Sequence, residues 1–116
     1  MFAFFMGLKS ISPSKLHALI EGAAPITVID VNARGSWIRA HVPGAVNLDP
    51  VGYKDSDLPT DKSAFLVFYC SNPMCMKAPT AARRARKMGY DNAHVMSAGI
   101  SGWLAANLPT QGAVVA

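Results

Sequence analysis

The two cysteines of this chain, Cys70 and Cys75, lie in one short polar segment, 70–77. The apolar run before it, 65–69, predicts a buried strand that delivers Cys70 to its carboxyl end. The residues after it, 79–89, have the spacing of an amphipathic helix. A strand, a tight loop and a helix N-terminus bring backbone N–H groups together at one point, which favours an anion there. We therefore expect Cys70 to be a better acid than a free thiol and to be reactive as its thiolate.

Length and composition favour one globular domain. The chain has 116 residues, of which 51% are hydrophobic and 16% charged, so we predict a single domain over 1–116 with terminal extensions at 1–10 and 110–116. The net charge of +4 suits small anions or acidic partners and is too low for a nucleic-acid binder. Two cysteines in one loop point to chemistry or metal binding rather than to a disulfide framework.

The apolar opening, 1–7, is too short to span a bilayer, and it lacks the basic start and the cleavage site of a secretory signal. We expect a segment that packs on the core or on a partner. We also expect no membrane span, a cytoplasmic location and reduced thiols.

The pattern along the chain alternates short strands with helices. A helix should begin at Ser12-Pro13 and end at Gly22, and 49–63 reads as a long surface connection with room for one helical turn. The other predicted elements are strands at 26–30, 45–48, 65–69 and 93–96, and helices at 35–40, with Trp37 and Ile38 facing inward, 79–89 and 99–106. This alternation predicts an α/β fold, a small three-layer domain with a central, mostly parallel sheet and helices on both faces.

Ligands of such sheets bind at the carboxyl ends of the strands. Asp30 and Cys70 both lie at such ends, and this coincidence makes the reactive cysteine a candidate site.

Three segments together resemble the rhodanese-like domain, the fold of the sulfurtransferases. They are 29–31 followed by 40–48, the strand that ends at Cys70, and 89–103. The resemblance extends from about Ile11 to Pro109. The loop after Cys70 departs from the family pattern because it is longer than the common loop and carries a second cysteine.

The resemblance implies a nucleophile at Cys70. Its thiolate would attack the outer sulfur of thiosulfate or of a persulfide donor, and the Cys70 persulfide would pass its sulfur to a thiol or a persulfide carrier. No cofactor is implied. Loop amides are expected to cradle the anion, whereas Pro73 has no N–H to offer. The candidate amides are those of Ser71, Asn72, Met74, Cys75 and Met76.

Three further side chains have open roles. Lys77 suits either neutralisation of a bound oxyanion, with a lower pKa for Cys70, or simple solvation. Arg34 suits either the pocket mouth or the open surface. Cys75 suits either a resolving thiol, which attacks the Cys70 persulfide and releases sulfide, or a loop residue that faces the core.

Other functions compete with sulfur transfer. A phosphatase or arsenate reductase would need an arginine to grip the oxyanion, and Lys77 stands there instead. A dithiol redox or metal-binding module would use Cys70 and Cys75, with soft sulfur from Met74 and Met76 available to Cu(I). A non-catalytic binding domain is the remaining alternative.

Overall fold

One five-stranded sheet organises the part of the chain that the computed structural model describes, residues 7–112. Its strands are β1 (Lys9–Ser10), β2 (Ile26–Asp30), β3 (Val46–Asn47), β4 (Phe65–Tyr69) and β5 (Ala93–Val95). They lie in the order β1-β5-β4-β2-β3, and all four pairings are parallel. The predicted parallel sheet is confirmed. Strand β1 falls within 1–10, where we expected only a terminal extension, and residues 1–6 of the apolar opening lie outside the described part.

The helices occupy the predicted places. They are α1 (Pro13–Glu21), α2 (Arg34–Arg39), α3 (Lys77–Lys87) and α4 (Gly99–Ala105), with a single 3₁₀ turn at Asp55–Asp57 in the long connection. Ser12 caps α1 by accepting the N–H of Lys15 at 3.1 Å. Helix α2 buries no residue fully, so Trp37 and Ile38 are half-buried rather than interior.

Strand β4 separates two hydrophobic clusters because its side chains alternate between the faces of the sheet. Leu66 and Phe68 pack on the face that α3 covers with its buried alanines. Val67 and Tyr69 pack on the opposite face with Trp103 of α4. Helices therefore cover both faces, as predicted. Cys70 continues the alternation and belongs to the cluster under α3.

A buried hydrogen-bonded group joins the carboxyl ends of β2 and β4. The Asp30 carboxylate, which has no exposed surface, accepts the Tyr69 hydroxyl at 2.7 Å and the Asn32 N–H at 2.8 Å. The Tyr69 oxygen in turn accepts the Val42 N–H at 3.0 Å. Burial raises the pKa of Asp30, and the bonds from Tyr69 and Asn32 offset part of that rise. Asp30 therefore holds the strand ends in place and has no free oxygen to offer to a ligand.

Replacing Tyr69 with Phe tests this group. The change leaves the Oδ2 atom of Asp30 and the Val42 N–H each without their buried partner, at about 1–3 kcal/mol for each group. We expect a loss of unfolding free energy larger than that of the matched variant Tyr53→Phe, whose hydroxyl donates to the Ala81 carbonyl. Urea unfolding measures both. Equal losses would show that the Tyr69 hydroxyl has no special structural role.

Candidate functional site

The first turn of α4 holds the backbone on the carboxyl side of β4. The carbonyl of Cys70 accepts the Ile100 N–H at 2.9 Å, and the carbonyl of Ser71 accepts the Ser101 N–H at 3.0 Å. Gly99 makes this contact possible. It has φ +65°, and a Cβ there would lie 2.5 Å from the carbonyl carbon of Ser71.

Cys70 is 2% exposed and lines a cavity of about 40 Å³. The cavity lies between the loop after β4, the start of α3 and the residues that follow β5. Its other lining residues are Asn72, Pro73, Cys75, Met76, Ala78, Pro79, Val95, Met96 and Ser97. The structure thus places both cysteines at one small cavity, at the edge of the sheet where ligands of parallel sheets bind.

Part of the expected amide cradle is absent. The N–H of Met74 donates to the Asn72 side-chain oxygen at 2.9 Å, and the N–H of Cys75 donates to the Asn72 carbonyl at 3.1 Å. These bonds close a turn within the loop. The expectation that the amides of Met74 and Cys75 hold an anion is therefore wrong.

Other amides do face the two sulfurs. Those of Ser71 and Ala78 point at the sulfur of Cys70, and those of Ser71 and Lys77 point at the sulfur of Cys75. Helix α3 begins at Lys77, so its first N–H groups are free of partners within the helix. We missed Lys77 and Ala78 as backbone donors because our candidate amides ended with the loop, at Met76. A proline is equally compatible with the first turn of a helix that starts earlier.

The acidity of Cys70 is opposite to our expectation. Burial, followed by the hydrogen bond to Cys75, raises the pKa of Cys70 to about 11, and the amides of Ala78 and Ser71 offset only part of the rise. The Cys70 sulfur also donates to the Cys75 carbonyl at 3.5 Å. The strand end supplies amide donors as predicted, but enclosure by the core outweighs them.

Cys75 carries the charge more readily. It is half-buried, and burial opposes ionisation. However, hydrogen bonds from the Cys70 thiol and from the amides of Lys77 and Ser71 together lower the pKa of Cys75, with the Lys77 charge adding to them. Of the two thiols, Cys75 is therefore the one that ionises more readily.

The two predicted cations lie together, but not in the Cys70 cavity. Arg34 and Lys77 line a surface depression of about 370 Å³, and the Arg34 guanidinium lies 5.9 Å from the Trp37 ring centroid. Lys77 also lines a second depression, of about 330 Å³, with Cys75, Met76 and Val51. The structure therefore places Lys77 beside Cys75 and Arg34 farther out.

The remaining predicted residues differ in exposure. Met74 is 86% exposed and Met76 is 45% exposed. The hydroxyl of Ser71 donates to the side-chain oxygen of Asn32 at 2.8 Å, so only its amide serves the site. Within residues 7–112 no three His, Cys, Asp or Glu side chains are grouped as metal ligands. In the same residues no helix is long and apolar enough to cross a membrane.

Comparison with known proteins identifies relatives of the whole domain. The sequence model of the rhodanese-like domain matches residues 12–106. A curated relative, the HTH-type transcriptional regulator Rv0324 of Mycobacterium tuberculosis, is 32% identical over 89 residues, which are 75% of this chain and 38% of that protein. The chain therefore spans little more than a third of that regulator.

Solved structures share the fold. The BH2092 protein of Bacillus halodurans superposes with a TM-score of 0.82 at 23% identity, over 90% of this chain and 77% of its own. The rhodanese-like domain of the Alr3790 protein of Anabaena superposes with a TM-score of 0.78 at 22% identity, over 90% of this chain and 79% of its own. The RPA3614 protein of Rhodopseudomonas palustris superposes with a TM-score of 0.72 at 20% identity, over 90% of this chain and 85% of its own. That protein is of unknown function and is described as a possible tyrosine phosphatase.

Alkylation should distinguish the two thiols. With limiting iodoacetamide at pH 7, we expect Cys75 to be modified at least tenfold faster than Cys70, because it is more exposed and more readily ionised. Raising the pH to 10 should accelerate modification of Cys70 more than that of Cys75, whose thiolate is already formed at lower pH. Peptide mapping measures both rates. Faster labelling of Cys70 at pH 7 would contradict the site geometry.

A methyl group at Gly99 should disturb the loop. Gly99→Ala places its Cβ against the backbone of Ser71 and Asn72 at a positive φ. We expect a lower melting temperature and faster alkylation of Cys70. Gly35→Ala is the matched control, because its Cβ would lie 3.7 Å from the flexible end of Arg39 and alanine favours a helix. Equal behaviour of the two variants would refute the close packing of α4 on the loop.

Proposed function

We propose that this chain, which belongs to the rhodanese-like domain family, is a sulfurtransferase that carries sulfane sulfur as a persulfide on Cys70. The observation that carries the proposal is the position of Cys70, at the carboxyl end of a central strand and beside a cavity, with the backbone amides of Ala78 and Ser71 directed at its sulfur. The family supports a sulfurtransferase type of fold, and the assignment of the sulfur to Cys70 is ours.

The reaction needs a donor with a weak sulfur–sulfur bond and Cys70 in its thiolate form, which is a small fraction at pH 7 because the pKa of Cys70 is about 11. The Cys70 thiolate attacks the outer sulfur of thiosulfate, the bond between the two thiosulfate sulfurs breaks, and sulfite leaves with the electron pair. A persulfide donor reacts in the same way and releases a thiolate. A thiophilic acceptor then attacks the outer sulfur of the Cys70 persulfide and regenerates the Cys70 thiolate.

The cavity beside Cys70 suits the bound intermediate. Its volume of about 40 Å³ exceeds the space that a single small atom or water needs. The amides of Ser71 and Ala78, which already point at this sulfur, would stabilise the negative persulfide. The intermediate would thus be shielded from solvent by the core that encloses Cys70.

The proposed partners follow from charge and exposure. Lys77 and Arg34 line one depression near the loop, and both would attract a small anionic donor such as thiosulfate. The acceptor would be a thiol or a persulfide carrier. Free thiols at both cysteines suit a reducing compartment such as the cytoplasm.

A second candidate is a dithiol redox module. It is favoured by the hydrogen bond of the Cys70 thiol to the Cys75 carbonyl, which places the two residues side by side. A metal-binding version would have only these two thiols within residues 7–112, fewer ligands than a structural zinc site uses. A phosphatase would lack the arginine fork, since Lys77 occupies that place.

Intact mass after incubation with thiosulfate tests the proposal. Immediately after mixing, the reduced protein should show the added mass of one sulfur atom, whereas Cys70→Ser should gain none and lose transfer from thiosulfate to cyanide by at least a hundredfold. Cys75→Ser is the matched control, since it removes the other thiol and should still gain one sulfur. Normal turnover by Cys70→Ser would overturn the assignment. A loss of two hydrogens without any sulfur uptake would favour the redox module.

A further inference from the structure

Cys75 forms part of the wall between the interior sulfur and the solvent. It lines the Cys70 cavity on one side and a surface depression with Val51, Met76 and Thr80 on the other. Direct transfer from Cys70 to an external acceptor makes no use of a second thiol in this position. Its position beside Cys70 indicates that Cys75 reacts with the sulfur that Cys70 carries.

We propose that Cys75 resolves the Cys70 persulfide, so that the chain releases its sulfur as sulfide and closes a Cys70–Cys75 disulfide. This inference rests on the proposed function, because it needs a persulfide on Cys70. It adds a product, sulfide, and a second substrate, the thiol that reduces the disulfide.

The step balances in atoms and electrons. The Cys75 thiolate attacks the inner sulfur of the persulfide, which is the Sγ of Cys70. A bond forms between the two cysteine sulfurs, and the bond to the terminal sulfur breaks. That sulfur leaves as hydrosulfide, with the electron pair and the proton of the protonated persulfide. The sulfane sulfur is reduced and the two thiols are oxidised. A protein dithiol, or two small thiols, then reduces the disulfide.

The geometry places the Cys75 backbone against the sulfur that Cys75 would attack. The Cys70 sulfur already contacts the backbone carbonyl of Cys75 at 3.5 Å, and the Ser71 amide faces both sulfurs. The turn closed by Asn72 fixes the backbone of Cys75 through the 3.1 Å bond to its N–H. The proposed attack requires the Cys75 side chain to turn from its place in the cavity wall toward this inner sulfur.

Formation of the persulfide on Cys70 would itself promote the attack by Cys75. Before sulfur uptake the Cys70 thiol has one hydrogen, which faces the Cys75 carbonyl and which stabilises the Cys75 thiolate when it turns to that sulfur. A persulfide on Cys70 has no hydrogen on Sγ, so this donor disappears. The Cys75 thiolate becomes a stronger nucleophile when its stabilising donor is lost. Formation of the Cys70 persulfide therefore increases the nucleophilicity of Cys75, the thiol that removes the terminal sulfur.

A single-turnover experiment tests the inference. Reduced protein is loaded with thiosulfate under anaerobic conditions, the excess is removed by gel filtration, and mass and free sulfide are followed. The wild type should release one equivalent of sulfide and become two hydrogens lighter than the reduced protein. Cys75→Ser should load no more slowly, because it lacks the Cys75 groups that raise the pKa of Cys70. It should then keep its sulfur at least tenfold longer and release no sulfide.

Two controls accompany this experiment. Thr80→Ser alters a residue in the same surface depression without removing a thiol, and it should behave as the wild type. Cys75→Ala repeats the test with a residue that offers no hydroxyl, and circular dichroism checks that each variant is folded. The sulfide and mass readings on the wild type need no variant at all.

The possible failures are distinguishable. If the wild type takes up sulfur and keeps it without sulfide release or disulfide, the inference is wrong and the proposed function stands. If Cys75→Ser loads more than tenfold more slowly, Cys75 is the donor-facing nucleophile and the resolving role is refuted. If neither thiosulfate nor a low-molecular-weight persulfide loads the wild type, the proposed function itself fails.

Discussion

The hydrogen bond between the Tyr69 hydroxyl and the buried Asp30 carboxylate, 2.7 Å long, sets the position of everything at this edge of the sheet. It joins the ends of β2 and β4, and through the Val42 N–H it also holds the turn before β3. Tyr69 and Cys70 are adjacent and point to opposite faces. Fixing Tyr69 on one face therefore fixes the Cys70 sulfur on the other, under α3.

Burial and hydrogen bonds from the backbone have opposite effects on the pKa values of the two cysteines. Cys70 receives amide N–H groups but lies within the core, and the cost of burying a charge prevails. Cys75 lies at the boundary, where the same kind of donors and the Lys77 charge prevail over a smaller burial. The two cysteines therefore differ: the outer one, Cys75, ionises more readily, and the inner one, Cys70, has a small cavity beside it.

The sequence predicts the sheet better than it predicts the site. Strands β2 and β4 have the predicted bounds because their runs are apolar and rich in β-branched or aromatic residues, which favours strands irrespective of their neighbours. The amphipathic pattern from Pro79 gave the course of α3 but not its first residue, since a proline marks the first turn without fixing which residue begins it. The charge on the cysteines could not be predicted, because it depends on how deeply the core encloses Cys70 and on where the Cys75 side chain turns.

Because Gly99 packs on its first residues, the loop between β4 and α3 differs along its length in how well it would tolerate substitutions. The missing side chain of Gly99 lets α4 lie directly on the backbone of Ser71 and Asn72, while the other end of the loop enters α3 at Lys77. Both ends are thus as constrained as core residues. Only the short span at 73–74, with a proline and an exposed methionine, is free of these anchors. Substitutions intended to change the chemistry of this site can therefore be made at those two positions while the scaffold is left unchanged.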